Sequence, residues 1–180
     1  SAFAGCESLR KFEFPLSVVE IGQNSFARCP LTNVELPNNL KILKGAFNEC
    51  VLLKEIVIPP SVTKIGSMAF YEAAQLEKVT FPPKLTLIGS YAFYNCKSIT
   101  KIALPSSINT ISKSAFNRCS SLTKVSIEQR EFTKFDSFIQ NVSDILHIGI
   151  NNSLIFGESS FEQCTSLIHI DIPMNLSYIG

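Results

Sequence analysis

A phenylalanine recurs along the chain at an almost constant interval. The interval is 21–23 residues throughout, and the positions are Phe3, Phe26, Phe47, Phe70, Phe93, Phe116, Phe138 and Phe161. Repeats of this length are typical of proteins in which one unit cannot bury its own apolar side and therefore stacks on its neighbours. We expect a stack of coils rather than a globule.

Each repeat carries three further signals after its phenylalanine. A cysteine follows three residues later in six repeats, and Ala73 and Asn141 take that position in the other two. An apolar triplet with the spacing L-x-x-I-x-I comes next, and its alternating end predicts a short strand that a proline usually closes. A second apolar pair then ends in glycine, as in Ile65-Gly66, which indicates a tight turn with an unusual φ.

These signals predict an α/β-type, β-rich solenoid that occupies residues 1–180 as a single domain. The phenylalanines imply about eight coils, with equivalent positions about 4.8 Å apart along the stack. The short strands would form one parallel sheet along one face, and the phenylalanines would form an internal ladder. The chain begins and ends inside a repeat, so we expect a part of a longer array whose open ends expose apolar edges and can pair end to end.

One repeat departs from the pattern at about residues 128–150. Glu128 stands where the proline is expected, and Asn141 replaces the cysteine. Solenoids tolerate local insertions, which favours a coil whose sequence has drifted. A bulge shaped for a ligand is the other interpretation, because loops often carry function.

Two stretches of sequence resemble the BspA-like class of leucine-rich repeats. They read IPPSVTKIGSMAF at residues 58–70 and LPSSINTISKSAFNRC at residues 104–119. The resemblance covers the whole chain and implies a right-handed superhelix. It also implies a surface or secreted protein, since similar proteins of anaerobic bacteria and protozoan parasites are associated with adhesion to host cells and extracellular-matrix proteins. The family has no shared catalytic residues to carry over.

The outward side chains of the predicted strands are the candidate ligand-binding residues. A basic column is expected from Lys78, Lys101, Lys124, His147 and His169, and acidic side chains on the same face are Glu13, Glu35, Glu55 and Asp171. Like charges at strand spacing are destabilising, so the column is either tolerated in water or kept for a partner. An acidic protein or a sulfated glycan would suit the lysines.

The histidines and cysteines favour structural roles over chemistry. One interpretation is a metal site of His147 and His169 with Asp171. We adopt the other, in which the two histidines are exposed polar residues that stack because they share a repeat position. We therefore predict no metal. The cysteines would point in parallel, which leaves their Cβ atoms too far apart for good disulfide geometry. We therefore expect reduced core thiols, with a disulfide as the alternative.

The composition excludes several classes of function. The chain has 16 basic and 15 acidic side chains and a net charge of +1, so it lacks the basic footprint of nucleic-acid binding. No apolar run reaches the roughly 18 residues of a membrane span, and the common catalytic motifs are absent. We expect a non-catalytic module that binds a protein or glycan ligand without a cofactor, on the cell surface or after secretion. A structural spacer and an interaction domain of an intracellular protein stay open as alternatives.

Overall fold

The computed structural model describes residues 1–128, 154–171 and 176–179. These residues form strands and turns and no helix, as expected for a β-rich solenoid. The strands contain two to four residues each and are β1 (Glu20–Ile21), β2 (Ile42–Leu43), β3 (Glu55–Val57), β4 (Lys64–Ile65), β5 (Lys78–Thr80), β6 (Leu87–Ile88), β7 (Lys101–Leu104), β8 (Thr110–Ile111), β9 (Lys124–Ile127), β10 (Leu154–Phe156), β11 (His169–Ile170) and β12 (Leu176–Ile179).

The strands form three parallel sheets, where the sequence predicts one. Two of them are built from the apolar triplets, β3 paired with β5 and β7-β9-β11, and we name these two together the triplet sheet. The long sheet runs β1-β2-β4-β6-β8-β10-β12 and is built from the second apolar pair of each repeat. A strand of two residues is too short to show an alternating pattern, and it is recognised as a strand because a neighbouring coil pairs with it.

The phenylalanines stack into the predicted ladder inside the solenoid. Neighbouring rings from Phe26 to Phe161 lie 5.1–5.8 Å apart between centroids, with interplanar angles of 3–13°. The rings of Phe47, Phe70 and Phe93 have no exposed surface. Parallel rings at this separation match the spacing of paired strands, so backbone pairing and aromatic stacking support each other.

The chain turns tightly around each buried phenylalanine. In the described residues, every non-glycine residue with a positive φ lies two positions before or two positions after a ladder phenylalanine. The backbone amide of Phe70, for example, donates to the Ala92 carbonyl oxygen of the next coil at 2.8 Å. The alanine before each phenylalanine is buried at Ala46, Ala69, Ala92 and Ala115, which leaves room for the adjacent coil.

The coil of Phe161 follows directly on the coil of Phe116. Their rings are 5.4 Å apart, β10 pairs with β8, and β11 pairs with β9. The described part of the chain therefore contains seven ladder phenylalanines, and Phe161 takes the position next to Phe116 that the spacing predicts for Phe138. Phe138 and the irregular repeat at about 128–150 fall almost entirely outside the described residues.

The glycines after the second apolar pair are explained by close approach and not by φ. Among the described glycines only Gly5 has a positive φ, so the predicted unusual φ at Gly66 is wrong. A Cβ added at Gly89 would lie 2.6 Å from the Ser67 nitrogen and 2.7 Å from the Gly66 carbonyl carbon. The backbone of one coil thus passes against the glycine of the next, and a side chain there would push the two coils apart.

We expect the substitution Gly89→Ala to lower the free energy of unfolding by about 1–3 kcal/mol, as other overpacking changes do. Gly22→Ala is the matched control, because the nearest atom to its added Cβ is the Ser25 Oγ at 3.6 Å. Urea denaturation followed by circular dichroism measures both. Equal stabilities for the two variants would contradict the close-approach explanation.

Candidate functional site

The triplet sheet presents a continuous exposed face. In β3, β7 and β9 the central apolar side chain is buried, at Ile56, Ile102 and Val125. The side chains on either side of it point outward and are exposed or half-buried. The alternation predicted from the repeats therefore holds in these three strands, and the candidate residues that the structure describes lie on this face.

The predicted basic column is assembled by strand register. Its described members are exposed and occupy the same strand position, and they are Lys78, Lys101, Lys124 and His169. Lys101 aligns with Lys124 in β7 and β9, and Lys124 aligns with His169 in β11. Glu55 aligns with Lys78, so an acidic residue precedes the lysines. Within the described ranges neither Lys78 nor Lys101 has an ion-pair partner.

Asp171 closes the column at its far end. One carboxylate oxygen is 2.5 Å from the His169 Nε2, and the other is 3.4 Å from the Lys124 Nζ. The hydrogen bond from His169, together with the charge of Lys124, lowers the pKa of the Asp171 carboxyl. The sequence placed Asp171 on this face but could not reveal that it neutralises part of the column.

The acidic end of the same face lies in the first coils. Glu13 and Glu35 are joined by an isolated parallel bridge, so their side chains are neighbours. The Lys11 Nζ forms an ion pair with the Glu13 carboxylate at 2.9 Å, which lowers the pKa of Glu13 through a side-chain hydrogen bond. The face is therefore acidic at Glu13, Glu35 and Glu55 and basic from Lys78 onward.

A row of small side chains runs beside the lysines, two strand positions further on. Val57 aligns with Thr80, and Ala103 aligns with Ser126. Val57 is 61% exposed, although valine side chains are usually buried. The row gives a partner a smooth surface next to the charged column. It was not among the predicted site residues, and the signal that could have found it is the absence of charge at this position in four successive repeats.

We expect the Asp171 carboxyl to titrate below its ordinary value of 3.8. A carboxylate with a lowered folded pKa stabilises the fold above its unfolded pKa, and that contribution is lost as the pH falls through the folded pKa. Carboxyl carbon chemical shifts in an NMR titration give the midpoint. Lys124→Ala should raise it, while Lys101→Ala, which removes a lysine that does not contact Asp171, should leave it unchanged. An identical shift in both variants would contradict the assigned pair.

The cysteines are free thiols that bond to the preceding coil. The Sγ atoms of Cys50, Cys96 and Cys119 each donate, at 3.1 Å, to the carbonyl oxygen of the ladder phenylalanine in the preceding coil. The acceptors are Phe26, Phe70 and Phe93 respectively. Burial raises the pKa of the Cys50 thiol to about 12 and also raises that of Cys96. All six cysteines are free, and five are buried as expected, whereas the exposed Cys6 is not the core thiol that the repeats predict. The buried ones act as small core residues with a weak donor.

We expect only one thiol of the native chain to react rapidly with a water-soluble disulfide reagent. Cys6 is exposed, whereas the other five cysteines are buried, and the reactive species is the thiolate. Absorbance at pH 8 should show one fast equivalent in buffer and six in denaturant, with Cys6→Ser as the control that removes the fast one. Two or more fast equivalents in the folded chain would contradict this packing.

Two further features concern a metal site at the histidines and a membrane-spanning segment. His147 lies outside the described residues, so its place in the column and in a metal site is untested. Across the described part of the chain, no group of three or more His, Cys, Asp or Glu side chains is arranged to hold a metal ion. None of the described residues forms a helix long and apolar enough to cross a bilayer.

A parallel solenoid with a buried phenylalanine ladder and a leucine-rich triplet defines a leucine-rich repeat protein. The family model described as "BspA type Leucine rich repeat region" matches with six copies, over residues 1–99, 40–155 and 86–180. The chain belongs to this family, as its repeats predicted. Membership indicates a protein-interaction module. No match is found among curated protein sequences.

Solved structures of bacterial leucine-rich repeat proteins are similar to this chain. The leucine-rich repeat protein of T. pallidum has a TM-score of 0.74 and 30% identity, over 92% of this chain and 68% of that one. A protein of Bacteroides ovatus has a TM-score of 0.49 and 22% identity, over 99% of this chain and 64% of that one. A leucine-rich cell surface protein of Faecalibacterium prausnitzii has a TM-score of 0.48 and 23% identity, over 97% and 55%. The chain thus spans only part of each relative, and the first of them supports the solenoid.

Proposed function

We propose that this chain is a non-catalytic module that binds an anionic macromolecule, an acidic protein or a sulfated glycan, through the triplet-sheet face. The observation that carries the proposal is the alignment of Lys101 with Lys124 in neighbouring strands. A positive column beside small side chains favours a partner that brings negative charge and lies flat on the sheet.

The charge arrangement supports a partner over a merely solvated face. Two unit charges about 5 Å apart repel each other by about 1 kcal/mol in water. The carboxylate of Asp171 offsets this repulsion at Lys124, but Lys78 and Lys101 have no ion-pair partner among the described residues. An anion bound between Lys101 and Lys124 would turn the repulsion into attraction, and the unpaired position of Lys78 would extend the contact.

Adhesion at a cell surface is the setting that we propose for this binding. The repeats resemble those of BspA-like proteins associated with host cells and extracellular-matrix proteins, and the family is one of interaction modules. The irregular repeat at about residues 128–150 and the histidine His147 are further candidates for contact with the partner. A structural spacer, which would only project another domain, is the function that the experiment below must exclude.

The lysine column is tested by reversing its charge. We expect Lys78→Glu, Lys101→Glu and Lys124→Glu together to reduce binding to immobilised heparin and matrix proteins at least tenfold, because attraction becomes repulsion at three aligned positions. The control carries Lys41→Glu, Lys64→Glu and Lys84→Glu, which are exposed elsewhere and change the net charge equally. Surface plasmon resonance at 50 and 300 mM salt measures both, since exposed charges are screened by salt.

Equal losses in the two triple variants would exclude the triplet-sheet face as the binding surface. Absence of binding by the unaltered chain to all surfaces would favour the spacer. Light scattering is needed in parallel, because the first coil has half-buried Phe3 and Phe12 and an exposed Leu16. End-to-end pairing through these side chains, which we also propose, would make the chain multivalent and raise its apparent affinity.

A further inference from the structure

Three tyrosines form a cluster on the phenylalanine turns, outside the column of Lys78, Lys101 and Lys124. The rings of Tyr71 and Tyr94 stack at 5.0 Å with an interplanar angle of 4°, and Tyr91 meets Tyr94 at 5.8 Å and 62°. The guanidinium carbon of Arg118 lies 5.6 Å from the Tyr94 ring centroid. These four residues are the tyrosine cluster, and they include three of the chain's four tyrosines.

The fold does not require aromatic side chains at these positions. Tyr71 and Tyr94 each follow a ladder phenylalanine directly, and the same position holds Ala27, Asn48 and Asn117 in other coils. The solenoid is equally well packed around those residues, since Phe26, Phe47 and Phe116 are all buried. The tyrosines are therefore additions to the surface rather than parts of the core.

Tyr91 occupies a backbone conformation that disfavours a bulky residue. Its φ is 58°, and the equivalent residues with a positive φ in other coils are Asn24, Met68, Ser114 and Ser159. Left-handed conformations are several-fold enriched in short polar residues such as asparagine and are unfavourable for aromatic ones. A strained residue that the fold could replace with a better one points to a role outside folding.

The geometry points to the tyrosine cluster as a second docking surface, which binds a polypeptide segment that presents a carboxylate to Arg118. Tyrosine and arginine are the residue types most enriched at the energetic centres of protein interfaces. The three rings are half-buried and held by mutual contact, so little conformational entropy is lost when a partner covers them. Met68, which precedes Tyr91 in the same position of the stack and is 43% exposed, adds a flexible apolar contact.

The contacts of Arg118 and Tyr94 select a polypeptide over a sugar. Sugars bind aromatic rings by lying on an open ring face, whereas Tyr94 already contacts the ring of Tyr71 from the preceding coil and the guanidinium of Arg118 from the next. The Arg118 Nε donates to the Gln163 Oε1 at 3.0 Å, which fixes the guanidinium plane. No carboxylate of the described residues pairs with Arg118, so its terminal nitrogens can form a two-pronged bond with an acidic side chain.

Selection from a library of phage-displayed random 12-residue peptides on the immobilised chain tests the proposal. We expect enriched peptides to carry Asp or Glu beside an apolar residue. Fluorescence anisotropy of the labelled peptides should show affinity losses of about tenfold or more for Arg118→Ala and Tyr94→Ala, as at other interface centres. Arg28→Ala is the matched control, because Arg28 takes the equivalent position in another coil and pairs with Glu49 instead of a tyrosine.

Two further variants separate this surface from the lysine column and from a structural role. The triple reversal of Lys78, Lys101 and Lys124 should leave peptide binding unchanged. Tyr91→Asn should weaken peptide binding while leaving the urea midpoint unchanged or raising it, because asparagine suits the left-handed backbone.

Three results would overturn the proposal. The first is no enrichment above an empty surface, or peptides whose binding depends on the lysines and not on Arg118. The second is a lower urea midpoint for Tyr91→Asn, which would make Tyr91 a structural residue. The third is binding on a glycan array that is lost in Tyr94→Ala when no peptide binds, which would replace the polypeptide by a sugar.

Discussion

Hydrogen bonds between equivalent positions of successive coils hold this molecule together. A single coil satisfies some of its backbone groups in its own turns, and its other amides donate to the coils on either side, as the Gly66 nitrogen does to the Leu43 carbonyl at 2.9 Å. Buried backbone groups left without partners are strongly unfavourable. Each level is therefore stable only between neighbours, and the phenylalanine ladder and buried thiols fill the space that this backbone pairing encloses.

The sequence predicts the interior of the solenoid well because the same residue types recur at the buried position of each repeat. The phenylalanine ladder, the thiol positions and the outward lysines all follow from which side chain types recur at a fixed interval. The reason for Gly89 does not follow, because it depends on the 2.6 Å approach of another coil. The long sheet was missed for the same reason, since its two-residue strands are defined by their neighbours and not by their own composition.

The sequence likewise predicts some features of the candidate site and not others. Strand register aligns Lys101 with Lys124 and Lys124 with His169, since one position per repeat becomes one line on the surface, and the binding role of these residues stays a prediction. The pairing of Asp171 with both His169 and Lys124 needed coordinates. So did the contact of Tyr71 with Tyr94, although four tyrosines with three in neighbouring repeats was a visible signal. Both surfaces use positions at which the fold accepts many side chains, and that freedom lets a repeat protein acquire binding sites without losing its core.

The direct contact of Phe116 with Phe161 has a consequence for how such a molecule assembles. Most neighbouring levels are joined by a link of 21–23 residues, but this one is joined by 45. Doubling the sequence separation between two levels adds only about 0.6 kcal/mol of closure entropy, which is small beside the contacts that one level makes. The longer separation lowers the folding rate instead, because contacts between residues distant in sequence form slowly. The levels before Phe116 can fold one after another along the chain. The level of Phe161 must dock across a longer separation in sequence, so the two ends of the array fold at different rates.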